Sequence, residues 1–348
     1  MKILVIGPSW VGDMMMSQSL YSSIKALHPT AQIDVMAPSW CRPLLSRMPE
    51  VRRAVPMPLG HGALELGERR RLGLALRDER YDNAFILPNS FKSALVPFFA
   101  RIPVRTGWRG EMRYGLLNDL RVLDKAAFPL MVQRYVALAY PRSIRSAQEL
   151  PLPLPWPRLR VAEHESLATA AVFSLDTGRA LVGFCPGAEF GPAKRWPHYH
   201  YASLAKSLID GGYQIVLFGS AKDQAAGNEI LALLSANERP YCRNLAGATS
   251  LEQAVALIAA CQAVVSNDSG LMHVAAALER PLVALYGPSS PDFTPPLSHQ
   301  ARVIRLITGY QRIRKGAGEQ GYHQSLIDIQ PEQVLSELSS LIAGDKEN

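Results

Sequence analysis

Ala263-Val264-Val265 runs into Ser266-Asn267-Asp268-Ser269-Gly270-Leu271-Met272-His273 and on to Val274-Ala275-Ala276-Ala277-Leu278. The three parts read as a buried strand, a tight polar turn and a helix whose first turn carries Asp, Ser and Gly. A helix entered in this way aims unpaired backbone N–H groups past the carboxyl end of the strand, and a phosphate is the natural occupant of that spot. His273 falls one turn into the helix, on the face of Ser269 and Gly270, and can add a donor to the same anion. Taken alone, the stretch equally describes an Asx-capped helix of an ordinary α/β protein. A second glycine-and-acid turn, at the start of the chain, favours the anion.

There, Lys2-Ile3-Leu4-Val5-Ile6 reads as an apolar strand and is followed by Gly7-Pro8-Ser9-Trp10-Val11-Gly12-Asp13-Met14. The spacing of Gly7 and Gly12 imitates a phosphate-binding Walker loop. Asp13 stands where that loop needs Lys, and Met14 where it needs Ser or Thr, so the carboxylate would repel a phosphate and no hydroxyl remains for magnesium. No Gly-x-Gly-x-x-Gly fingerprint occurs, which disfavours a dinucleotide dehydrogenase. A carboxylate at the mouth of the first strand, beside a glycine that lets a substrate approach, suits a general base. The same Asp13 also suits a charge at a helix N-terminus.

Working outward, strands alternate with amphipathic helices in both halves. Strands are expected at residues 3–6, 33–36, 84–87, 181–184, 214–218, 263–265 and 282–285, and helices at 15–27, 64–77, 201–209, 251–260 and 272–278. Between the halves lies Leu150-Pro151-Leu152-Pro153-Leu154-Pro155-Trp156-Pro157, whose alternating prolines cannot join a helix or a central strand. The expected organisation is an α/β chain with a first Rossmann-like domain over 1–150, a Pro-rich linker region over 151–175, a second Rossmann-like domain over 176–330, and a C-terminal helix and tail over 331–348. Two doubly wound domains facing a central cleft follow from the alternation. Gly316 to Gly321 is expected to be a flexible loop.

At 348 residues the chain exceeds one typical core, and 48 % hydrophobic with 19 % charged residues describes a folded protein. Cys41, Cys185, Cys242 and Cys261 are scattered without a Cys-x-x-Cys pair, which argues against a zinc site or a disulfide framework and fits a reducing compartment. The opening apolar run ends in a Gly-Pro break, unlike a secretory signal, and the apolar stretch around 94–100 is too short to span a bilayer. The expected location is cytoplasmic, peripheral at most.

Charge is unevenly placed. Residues 1–150 hold 21 Lys and Arg against 12 Asp and Glu, a net of +9, whereas the remainder is slightly acidic. The excess concentrates in Arg69-Arg70-Arg71 and in Lys92, Arg101, Arg105, Arg109 and Arg113. The first cluster reads as a solvated helix face. The second follows Asn89-Ser90-Phe91-Lys92 at the end of the strand over 84–87, where ligands of open α/β sheets gather. An anionic partner is expected there. Nucleic acid is disfavoured, because no basic–aromatic interleaving of a recognised module appears.

The second half adds Phe184-Cys185-Pro186-Gly187-Ala188-Glu189-Phe190-Gly191-Pro192-Ala193-Lys194-Arg195-Trp196-Pro197, a glycine-rich loop with two adjacent cations. A lysine on such a loop can neutralise a departing pyrophosphate. Leu217-Phe218-Gly219-Ser220 leaves a strand through Gly-Ser, either as a nucleotide contact or as an ordinary turn. No Asp-x-Asp and no His/Asp/Glu group with metal-ligand spacing occurs, so charge on a leaving group is expected to be met by Lys194, Arg195 and the helix terminus. No cofactor is expected to be required, and Mg2+, where it stimulates, is expected to act without protein ligands.

Together, residues 7–14, the loop ending in Lys194-Arg195-Trp196-Pro197, and Asn267 to His273 resemble the lipopolysaccharide heptosyltransferases of glycosyltransferase family nine. Trp10-Val11-Gly12-Asp13, residues 188–197 and Tyr286-Gly287-Pro288-Ser289 are most similar to the members that add heptose to a heptose already in place. The resemblance implies a GT-B architecture with the acceptor on the first domain and the nucleotide-sugar on the second. It implies transfer of L-glycero-D-manno-heptose from ADP-heptose to the first heptose of the inner core, with inversion at the anomeric carbon. The implied acceptor is of the heptosyl-Kdo2-lipid A type, at the cytoplasmic face of the inner membrane. Asp13 resembles the catalytic base and Lys194 the donor-phosphate lysine. Arg195, Gly219, Ser220, Asp268, Ser269, Gly270 and His273 are the expected donor contacts, and Asn89, Ser90, Lys92, Arg105, Arg109 and Arg113 the expected acceptor contacts. A sister enzyme with another inner-core acceptor, a GT-B-like nucleotide-sugar epimerase and a non-catalytic nucleotide-binding module are the alternatives.

Overall fold

Leu4, Val5 and the other apolar residues of the opening strand are shielded on both faces, the pattern of a central parallel strand rather than of an alternating edge. The computed structural model describes residues 1–60, 62–176, 178–316 and 320–345, with residue 345 described by its backbone alone. The chain divides into two compact units, Met1–Pro157 and Arg158–Asn348.

The first unit holds β1 (Lys2–Ile6), β2 (Gln32–Ala37), β3 (Val51–Pro56), β4 (Asn83–Ile86), β5 (Val104–Trp108) and β6 (Asp119–Arg121). They form one sheet in the order β3-β2-β1-β4-β5-β6, and every pairing is parallel. The second unit holds β7 (Leu181–Cys185), β8 (Gln214–Leu217), β9 (Cys242–Asn244), β10 (Ala263–Asn267), β11 (Leu282–Leu285) and β12 (Ala301–Ile304). Its order, β12-β11-β10-β7-β8-β9, is again all parallel. Counted from each unit's own first strand, both sheets read 3-2-1-4-5-6, the doubly wound Rossmann arrangement.

That order decides where ligands can bind. The winding direction reverses between β1 and β4 in the first unit and between β7 and β10 in the second, and a crevice opens past the carboxyl ends at each reversal. The helix after β1 carries Asp13 in its first turn, and the loop after β4 carries Asn89. The loop after β7 carries Lys194, and the turn after β10 carries Asp268. All four segments singled out in the sequence therefore stand at the two reversal points.

The helices expected at 15–27, 64–77, 201–209 and 272–278 occur as Val11–Leu27, Leu66–Ala75, His198–Asp210 and Gly270–Ala277, and Leu251–Ala260 matches its expected bounds. The longer start of Val11–Leu27 places Asp13 inside its first turn. β3, β5, β6, β9 and β12 were not expected. Residues 151–175 run from the proline stretch into the helix Glu163–Val172, which packs on Leu251–Ala260 with Ser166 Oγ donating to the Ala256 carbonyl at 2.8 Å. The helix Pro331–Asp345 closes one face of the second unit, with Val334, Leu338, Leu341 and Ile342 in the core. The expected loop 316–321 includes residues 317–319, and the expected tail includes 346–348; both sets lie outside the described residues. No helix of the described residues is long and apolar enough to cross a membrane.

Candidate functional site

The second unit's reversal point is organised by Asn267, the fully buried last residue of β10. Its Oδ1 accepts from the Trp196 backbone N–H at 3.0 Å and from the Tyr201 hydroxyl at 3.2 Å, and its Nδ2 donates to the Pro186 carbonyl at 2.7 Å. One side chain thus fastens both ends of the lysine loop to the strand that carries the polar turn. Trp196, also buried, anchors the far end by donating from Nε1 to the Ile329 carbonyl at 2.9 Å.

Held this way, Lys194 reaches across the reversal point, and its Nζ lies 2.6 Å from Asp268 Oδ2. Both residues are partly exposed. Next to them begins the helix Gly270–Ala277, whose N-cap Ser269 makes no side-chain capping bond and whose hydroxyl lies 3.2 Å from Ser266 Oγ. The first-turn N–H groups, the ammonium and the Ser269 hydroxyl form one donor-rich patch at the positive end of a helix, chemistry suited to a diphosphate. His273 lies behind this patch and is buried. Burial pulls its imidazole pKa down to about 4, the Lys194 charge adding to that and the Asp268 charge opposing it. The ring is neutral near pH 7, so it can offer an N–H to an anion but no charge.

Arg195 and Ser220 point to a common partner instead. Asp223 Oδ2 accepts from the Ser220 backbone N–H at 2.9 Å and hydroxyl at 2.8 Å, and Arg195 Nη2 donates to Asp223 Oδ1 at 3.4 Å. Asp223 is wedged between two glycines. A Cβ on Gly187 would come within 2.4 Å of its carboxyl carbon, and one on Gly219 within 2.7 Å of its Cβ. These glycines let the loops after β7 and β8 close around the carboxylate. The Lys222–Glu189 pair at 2.7 Å is exposed and contributes little.

In the first unit, Asp13 is the third residue of the helix Val11–Leu27, which is buried on nearly every side. The Asp13 carboxylate accepts no hydrogen bond from the described residues, and burial raises its pKa to about 6. The buried Tyr135 hydroxyl feels the Asp13 charge, and burial combined with that charge holds the phenol well above its ordinary value. A carboxylate that is costly to ionise yet still mostly ionised at neutral pH has the property a general base needs.

The cations expected to meet an acceptor are not brought together. Arg105 stands at the amino end of β5, where its Nε donates to the Leu116 carbonyl at 2.6 Å and its Nη1 to the Ile102 carbonyl at 2.5 Å. Arg113 is fully buried and is spent on the loop after β4. Asn89, Ser90, Lys92 and Arg109 do share the carboxyl-end side, with Asn89 and Arg109 exposed. Charge and position along the chain misplaced Arg105 and Arg113, because the carbonyls that take up a guanidinium carry no sequence signal. Arg69 behaves similarly: it is buried, and it donates to the carbonyls of Leu64 at 2.6 Å, Ala63 at 2.9 Å and Lys92 at 3.3 Å. Among the described residues, no group of three or more His, Cys, Asp or Glu side chains is arranged to hold a metal ion.

The chain matches the family model for glycosyltransferase family 9 (heptosyltransferase) over residues 69–323. It is 74 % identical to lipopolysaccharide heptosyltransferase 2 of Salmonella typhimurium over 346 residues, covering 99 % of each chain. Against lipooligosaccharide heptosyltransferase 2 of Haemophilus influenzae it is 60 % identical, covering 99 % of this chain and all of the relative. The crystal structure of Escherichia coli ADP-heptose lipopolysaccharide heptosyltransferase II superposes with a TM-score of 0.93 at 70 % identity, covering 99 % of this chain and 100 % of that one.

Proposed function

Because the chain belongs to glycosyltransferase family 9, we propose that it is the enzyme that transfers a heptose from ADP-heptose to the inner core of lipopolysaccharide, onto the heptose already present there. The observation that carries this reading is the 74 % identity, end to end, with a lipopolysaccharide heptosyltransferase 2. The two Rossmann-type reversal points supply the chemistry that such a transfer needs.

The donor's diphosphate is assigned to the second unit. The Gly270 helix N-terminus and Ser269 receive the phosphates, and Lys194, released from Asp268 or shared with it, neutralises the charge that grows on the departing ADP. His273 adds a neutral N–H. The acceptor is assigned to the first unit, where Asp13 takes the proton of the attacking hydroxyl. Asp13 belongs to one unit and Lys194 to the other, and the transfer is an in-line displacement with inversion at the anomeric carbon. The acceptor is proposed to be a heptosyl-Kdo2-lipid A type glycolipid at the cytoplasmic face of the inner membrane, an acidic molecule that suits a unit of net positive charge. These side chains offer charge neutralisation without a protein-held metal.

The direct test is ADP release from ADP-heptose by the purified protein, with and without a truncated heptose-bearing acceptor. Release only when the acceptor is present supports transfer. Donor turnover without acceptor would instead support the epimerase alternative, and no turnover in either arm a binding module.

A further inference from the structure

We propose that Arg113 is a positioning residue that makes Asn89 a one-sided hydrogen-bond donor to an oxygen of the acceptor. This rests on assigning the acceptor to the first unit. Arg113 lies on the connection between β5 and β6, yet its guanidinium reaches into the loop after β4. Nη1 donates to the Pro88 carbonyl at 2.7 Å and to Ser93 Oγ at 3.3 Å. Nη2 donates to the Trp108 carbonyl and to Asn89 Oδ1 at 3.2 Å.

A guanidinium has donors only, so the Asn89 atom facing it must be the oxygen. This fixes the amide: Oδ1 points inward, and Nδ2, which bonds to none of the described residues, is presented outward at the reversal point between β1 and β4. The loop cannot easily turn away. The Glu111 backbone N–H donates to the Asn89 carbonyl at 3.0 Å, and the Phe91 backbone N–H donates to Glu111 Oε2 at 2.6 Å. Gly110 has no Cβ because one would come within 2.2 Å of the Asn89 carbonyl oxygen. Ser93 Oγ closes the loop from below, bonding the carbonyls of Pro88 at 2.9 Å and Ser90 at 2.6 Å.

Burying a guanidinium with no carboxylate bonded to it among the described residues is costly, and burial lowers the Arg113 pKa to about 10, the Glu111 charge opposing it. A neutral side chain could fill the space more cheaply. What a guanidinium adds is a fork of donors that orients several acceptors at once, the Asn89 oxygen among them. Asn89 then meets an acceptor oxygen, either a sugar hydroxyl or a phosphate, with an N–H and never with a lone pair.

Asn89→Asp separates orientation from structure. The carboxylate keeps the bond to Arg113, now charge-assisted, but has no proton to donate outward. Thermal unfolding of the variant should match or exceed wild type. Its acceptor KM should rise about five- to ten-fold, the worth of one hydrogen bond, while the ADP-heptose KM stays unchanged. A phosphate-free acceptor distinguishes the two oxygens: the rise persists for a hydroxyl partner and shrinks for a phosphate. Arg113→Lys should lower the melting temperature and raise the acceptor KM, and in that background Asn89→Asp should cost less than it does alone. An unchanged acceptor KM in a stably folded Asn89→Asp overturns the proposal. If Lys92→Ala still raises the acceptor KM, the acceptor site stands without this contact; if neither variant moves it, the assignment of the acceptor to this unit falls as well.

Discussion

Under the proposed function Asp13 and Lys194 carry opposite tasks, and they stand in different surroundings. Asp13 is held half-buried in a helix's first turn with no donor to its carboxylate among the described residues, and burial raises its pKa to about 6. As pH falls through that value the carboxylate takes a proton and the base is lost. The logarithm of kcat/KM for the acceptor should therefore fall along an acid limb centred near pH 6, as measured in a pH–rate series at saturating donor. A flat profile down to pH 5 would remove Asp13 from the proton transfer. Lys194 instead stands with Asp268 at 2.6 Å, partly open to solvent. Lys194→Ala should lower kcat and weaken ADP-heptose binding, seen by calorimetry and steady-state kinetics, because a charge-assisted contact worth about 1.5–3 kcal/mol is lost. EDTA should leave wild-type turnover standing; complete inactivation reversed by magnesium would contradict a leaving group neutralised by side chains alone.

Asn267 decides how well the second reversal point holds its shape. Asn267→Ala leaves the Trp196 N–H, the Tyr201 hydroxyl and the Pro186 carbonyl without their partner in a buried setting. Unfolding in urea should show a loss of roughly 2–4 kcal/mol; a loss under half a kcal/mol would mean that the lysine loop is held by Trp196 alone. The importance of Asn267 was half legible in the sequence. The run Ala263-Val264-Val265 announced a strand and Asp268-Ser269-Gly270 a turn, but nothing along the chain says that Asn267, between them, faces inward to bind residues 66 to 81 positions earlier. The central strands β1, β4, β7, β10 and β11 were readable because they are short apolar runs bounded by turns. β3 (Val51–Pro56) carries Arg52-Arg53 and ends in proline, because it is an edge strand whose arginines pair with Asp34 at 2.6 and 3.2 Å. β6 and β9 are three residues long, and β12 is another edge with exposed Arg302 and Val303. Edge strands need no continuous apolar pattern, so hydrophobicity alone passes them over.

Across the molecule the charge excess stays with the first unit, but several of its cations are structural. Arg69 and Arg105 are spent on backbone carbonyls, Arg113 on carbonyls and the side chains of Ser93 and Asn89, and Arg52 and Arg53 on Asp34 and Glu79. Exposed Arg109 and partly exposed Lys92 remain at the carboxyl-end side, where the proposed function would have them meet an acidic acceptor. Attraction through solvent is screened over about 8–10 Å at ordinary ionic strength, so the acceptor KM should climb with salt, whereas the donor KM, set by close contacts, should climb less. Arg109→Ala should flatten the acceptor's salt dependence; equal salt sensitivity of both substrates would reduce the basic half to a solvated surface. Heptose transfer with a base on one unit and a diphosphate site on the other, as proposed, can be tested in a single incubation. Wild type and Asp13→Asn are each given ADP-heptose and the truncated heptose-bearing acceptor, ADP is quantified, and the acceptor is weighed by mass spectrometry. Wild type should add one heptosyl unit per ADP released, and Asp13→Asn should bind ADP normally yet be slower by roughly a hundred- to ten-thousand-fold. ADP released without a matching gain in acceptor mass, or an Asp13→Asn variant as fast as wild type, would contradict the account.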